Sequence, residues 1–72
     1  MNRYIIPICI FDKSKIYNIL VNARSYNDCK EKIMYKLIEE FDLPDIDDYD
    51  DFINELYNRN ILIGEIKDIE TL

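Results

Sequence analysis

The segment Arg3-Tyr4-Ile5-Ile6-Pro7-Ile8-Cys9-Ile10-Phe11 constrains the fold more than any other feature of the chain. Its β-branched and aromatic residues favour an extended strand. Apolar residues fill both alternating sets of positions, so the strand calls for cover on both faces. A chain of 72 residues has few layers with which to provide it. Pro7 cannot donate to a ladder, which points to a sheet edge or a bulge. The same proline interrupts the longest apolar stretch, and no small-residue cleavage site follows it, so a secretory leader is not expected. Nor is there a run of about 20 apolar residues to span a membrane. The expectation is a single soluble domain, residues 1–72, in the cytoplasm of a bacterial host.

The remaining elements follow from local pattern. Asp12-Lys13-Ser14-Lys15 is a polar break of hairpin length. From Ile16 to Arg24, Tyr17, Ile19, Val21 and Ala23 alternate with Asn18, Leu20 and Asn22, a second strand with its odd-numbered side inward. Ser25 and Asp28 form a variant capping box. Cys29, Ile33, Leu37 and Phe41 then recur at helical spacing, with Met34 and Ile38 beside them, so a first helix spans Tyr26 to Phe41 before Pro44 stops it. Asp47 or Asp48 opens a second helix whose inward stripe is Tyr49, Phe52, Ile53, Leu56 and Tyr57, with Asn58 and Asn60 as left-handed terminators. Ile61 to Ile69 reads as a third strand in which Gly64 marks a bulge or a close approach. This β-β-α-α-β order predicts an α+β two-layer sandwich, a three-stranded, mainly antiparallel sheet with a helical hairpin on one face. Pro7 places the first strand at an edge, and the third strand, if it pairs with the second, runs antiparallel to it.

The chemistry available is narrow. Histidine is absent, the hydroxyls besides tyrosine are Ser14, Ser25 and Thr71, and Gly64 is the single glycine. Neither a hydrolytic triad nor a glycine-rich phosphate loop can be assembled from these. Cys9 and Cys29 form no CxxC pair and read as small buried hydrophobes. An enzyme is therefore not expected, nor a cofactor. Fourteen isoleucines beside seven asparagines and a lone alanine indicate an AT-rich genome, bacterial or phage.

Charge is uneven. Up to Ile38 there are seven Lys/Arg against three Asp/Glu; from Glu39 onward there are two against twelve. Asp42, Asp45, Asp47, Asp48, Asp50 and Asp51 put six carboxylates into ten residues. Calcium is one reading, but in neither EF-hand register, from Asp45 or from Asp48, do the required glycine and terminal glutamate appear. Favourable contact with a helix N-terminus is the second, at roughly 0.3–1 kcal/mol for each acid. It accounts for one or two of the six, since packed like charges repel. The third reading is an acidic docking surface made by Asp45, Asp47, Asp48, Asp50, Asp51 and Glu55, approached by Glu39 and Glu40 from the end of the first helix. Such a ridge would steer onto a basic groove of the kind that holds nucleic acid, with Tyr26 and Tyr35 as candidate anchors. Direct binding to nucleic acid is disfavoured by a pI near 4.4.

In size, acidity and compact β-β-α-α-β order, with the run Asp42 to Asp51 as its carrier, the chain resembles the small acidic phage-encoded inhibitors of host defence, the anti-CRISPR proteins among them. These share no common signature, so the resemblance transfers no residue roles. It implies a non-catalytic protein that occupies a nucleic-acid-binding surface of a host effector. The basic first half points to a local acidic patch rather than a full-surface DNA mimic. The alternative is a homodimeric or larger structural or accessory subunit that pairs through the doubly apolar first strand across a two-fold axis.

Overall fold

The computed structural model describes all 72 residues. β1 (Asn2–Ile10) turns through a 3₁₀ segment at Phe11–Lys13 into β2 (Lys15–Ala23); α1 (Tyr26–Phe41) and α2 (Tyr49–Asn58) follow, and the chain closes with β3 (Ile61–Ile63) and β4 (Lys67–Thr71). The fold is α+β, an open antiparallel four-stranded sheet with both helices on one face. The expected third strand is thus two strands, laid end to end along β1. β3 pairs with Ile8 to Ile10 and β4 with Asn2 to Ile5.

β1 is the central strand, not the edge that Pro7 suggested, and the closing strands pair with β1 rather than with β2. The reason lies in where the proline nitrogen points. The nitrogen and carbonyl oxygen of one extended residue face the same neighbour. The Pro7 carbonyl accepts from the Gly64 N–H at 2.8 Å, so its nitrogen faces the gap between Ile63 and Lys67. No ladder bond is sacrificed there. Gly64 is required by this approach rather than by its backbone angles, since a Cβ on it would lie 2.4 Å from Pro7 Cγ.

The even-numbered side of β1 (Tyr4, Ile6, Ile8, Ile10) meets Ile19 and Ala23 of β2 and the helical residues Cys29, Ile33, Leu37, Phe52 and Leu56 in one core. α1 lies over β2 and α2 over β3. α1 has the bounds its sequence signals gave. The Ser25 hydroxyl accepts the Asp28 N–H at 3.1 Å, and Asp28 accepts the Arg24 N–H at 2.9 Å. That second bond, with help from Lys32, holds the Asp28 carboxyl below the usual carboxylate range. Asp42 ends the helix in the left-handed region, two residues ahead of Pro44, and Asn60 performs the same service between α2 and β3.

Two expectations fail on burial. Tyr57, expected inward, is 65% exposed, because α2 sits at the margin of the sheet and buries only the narrow stripe of Phe52 and Leu56. The first strand is covered on one face alone. On the other, residues of neighbouring strands meet in rows: Ile16–Cys9–Leu62, Leu20–Ile5–Lys67 and Asn22–Arg3–Glu70. No layer lies over them, and Ile16 and Leu20 are 76% and 58% exposed.

Candidate acidic docking site

The path of the α1–α2 connection decides which acids meet. Leu43, Ile46 and Tyr49 recur every third residue and pack inward, Leu43 fully and the other two in part. The connection therefore runs back along α1. At its far end the Lys30 ammonium lies over the rings of both Tyr26 and Tyr49, at 4.8 and 5.0 Å from their centroids. Tyr49 also packs against Phe52, with centroids 5.8 Å apart. Burial, reinforced by the Tyr26 phenol and the Cys29 thiol, pushes Tyr49 up to about 12.

This return path opens a cleft of about 410 Å³ between α1 and the loop, lined by Glu31, Met34, Tyr35, Ile38, Asp45, Ile46 and Asp47. Met34, Ile38 and Ile46 make an apolar floor. Glu31, Asp45 and Asp47 make an acidic rim, and Tyr35 stands beside them 77% exposed. Glu31, Tyr35 and Glu39 follow one another at intervals of four on α1, so Glu39 extends the same ridge. A long cationic side chain suits such a site, its methylenes against the floor and its charge at the rim.

The structure divides the eight predicted residues. Asp45 and Asp47 line the cleft, Glu39 adjoins it, and Asp48, Asp50 and Asp51 continue from it into the first turn of α2. Asp48 occupies the N-cap position, yet its side chain makes no capping hydrogen bond. None of these aspartates, nor Asp42, forms an ion pair; the three in the protein are Arg3–Glu70, Lys32–Asp28 and Arg59–Glu55. Glu55 is thus neutralised by Arg59 at 3.1 Å and adds little to the field. Glu40 lies outside the cleft lining; burial, with the Glu40 charge added, pushes the Tyr17 phenol of β2 up. Nowhere do three acidic side chains converge closely enough to hold a metal ion, as the calcium reading would need. Glu31 was missed from the sequence, although its spacing from Tyr35 and Glu39 was there to be read.

Comparison with family models, curated proteins and solved structures finds no match.

Proposed function

We propose that this chain is a non-catalytic binding protein of the phage anti-defence kind. It docks the acidic surface from Glu31 and Glu39 through Asp51 onto a basic, nucleic-acid-binding groove of a host effector, and it inhibits by occupying that groove. The supporting observation is the set of carboxylates at Asp45, Asp47, Asp48, Asp50 and Asp51. They have no cationic partner; Asp45 and Asp47 line a cleft with an apolar floor and an exposed tyrosine, and Asp48, Asp50 and Asp51 follow it into the first turn of α2. Helix capping supplies no hydrogen bond that would account for Asp48, and Asp45 and Asp47 precede the helix altogether. Clustered charge of one sign accelerates encounter with an opposite surface, while Tyr35 gives that encounter a desolvated aromatic contact.

Capture from bacterial lysate by the tagged wild type and by an Asp45→Lys/Asp47→Lys/Asp51→Lys variant, run in parallel, tests this. The substituted side chains are exposed, and relief of repulsion among the carboxylates opposes the loss of Asp51 from the first turn of α2, so the two thermal midpoints should stay close. A nucleic-acid-binding protein held by the wild type, released by salt and absent from the variant is the expected result. Equal capture by the two would refute the docking surface.

A further inference from the structure

We propose that the uncovered face of the sheet is the contact surface for a second copy of this chain, making a two-fold homodimer. The face presents Ile16, Leu20 and Leu62, which are 76%, 58% and 45% exposed, around the half-buried Ile5, Pro7 and Cys9. A shallow depression on this face is bounded by Ile5, Pro7, Asn18, Glu65 and Lys67. A contiguous apolar surface of this kind on a small chain marks an interaction site.

Charge identifies the occupant. Arg3 and Lys67 on this face are balanced by Glu65 and Glu70, with Arg3 and Glu70 already 3.4 Å apart. The face therefore sums to zero, and the whole net charge of −6 lies elsewhere on the molecule. For two copies of so acidic a chain, it is a surface on which they meet without opposing like charges. A two-fold axis can set the cations of each copy against the anions of the other. The free edge of β2 is the less suitable place to pair, because the Lys32 ammonium donates to the Asn22 carbonyl at 2.8 Å and blunts that edge.

Size is sufficient. Nine-residue strands in a sheet three strands wide present about 30 Å by 14 Å, on the order of 500 Å² with side-chain relief, hence about 1,000 Å² over two copies. That is the lower limit for a specific interface, so dissociation in the range of tens to hundreds of micromolar is expected.

Sedimentation equilibrium of the full chain at about 5, 50 and 500 μM measures this directly. The mass should rise from 8.7 kDa toward twice that value. An Ile16→Lys/Leu20→Lys variant should stay at 8.7 kDa throughout, and its melting at 5 μM should match the wild type, since both side chains are exposed in the single copy. Cys9 gives a second readout, because Cys29 is buried and Cys9 is the accessible thiol. Its maleimide labelling should slow about two- to sixfold from 5 to 500 μM, as the monomer fraction falls for dissociation constants in that range. A wild type that remains monomeric at 500 μM, a lysine variant that dimerises equally well, or a labelling rate independent of concentration overturns the proposal, and a monomer throughout would assign the face to a foreign partner.

Discussion

Replacing Gly64 by alanine tests the argument that places a proline in the central strand. The added Cβ would lie 2.4 Å from Pro7 Cγ, where ordinary contact begins near 3.4 Å, so about 1 Å must be found somewhere. Pro7 Cγ belongs to a ring and cannot rotate aside. The strain therefore falls on the backbone, and first on the 2.8 Å bond from the Gly64 N–H to the Pro7 carbonyl. Overpacking of this kind costs about 1–3 kcal/mol; a blocked ring atom and a threatened hydrogen bond put the figure near 2 kcal/mol. For a domain of this size that lowers the melting midpoint by roughly 8–16 °C. Because alanine at position 7 has no Cγ, the Gly64→Ala penalty should shrink to about 0.5 kcal/mol in a Pro7→Ala background. Urea unfolding of the four proteins, followed by far-UV circular dichroism, gives the coupling energy directly. A Gly64→Ala penalty that is the same in both backgrounds would refute the steric account.

Two more predictions concern the helices. Ser25→Ala should cost about 1 kcal/mol, because it removes an observed cap, whereas Asp48→Ala should cost under about 0.5 kcal/mol, because the Asp48 side chain caps nothing; comparable losses in thermal melts would contradict the assignment. Above pH 10 the fold should weaken through Tyr49, whose phenol ionises near 10 when unfolded and at about 12 when folded. Its contribution is whole below pH 10 and is lost as pH rises to 12, up to about 2 kcal/mol given its partial exposure. Urea midpoints at pH 8 and pH 11 should fall less between them for Tyr49→Phe than for wild type, and an equal fall would exclude Tyr49 as the source.

The parts of this fold that could be read from sequence are those fixed by neighbours. α1 has the expected ends because a hydroxyl at Ser25, apolar residues at intervals of four and a stop near Pro44 all act within a turn or two. The position of β1 was not legible, because what makes Pro7 harmless is a gap opened by Gly64, far away in the chain. Tyr57 misled for a related reason. Helical period groups it with Ile53, but the width of the buried stripe depends on how far α2 overhangs the sheet. The acidic run was visible as a run, and the cleft was not. Its walls come together only because Leu43, Ile46 and Tyr49 draw the loop back along α1. Glu55 shows the opposite failure: Arg59, four residues on, was the obvious partner and was overlooked.

The net negative charge is unevenly placed across the two sides of the sheet. The uncovered side is apolar with balanced charge, and the helical side carries the unpaired carboxylates. Those carboxylates repel one another in the isolated chain, and the basic side chain of α1 nearest the end of the loop, Lys30, is held by the rings of Tyr26 and Tyr49. A basic partner would relieve that repulsion, so part of the binding energy would come from repulsion present before binding. Pairing through the uncovered side would leave the acidic cleft of each copy directed outward, away from the two-fold contact. Two clefts on one particle would raise the effective concentration of the second once the first is engaged, provided the basic surfaces lie within reach of both. A small acidic chain would thereby hold such a partner more tightly than one modest cleft allows, without a larger core.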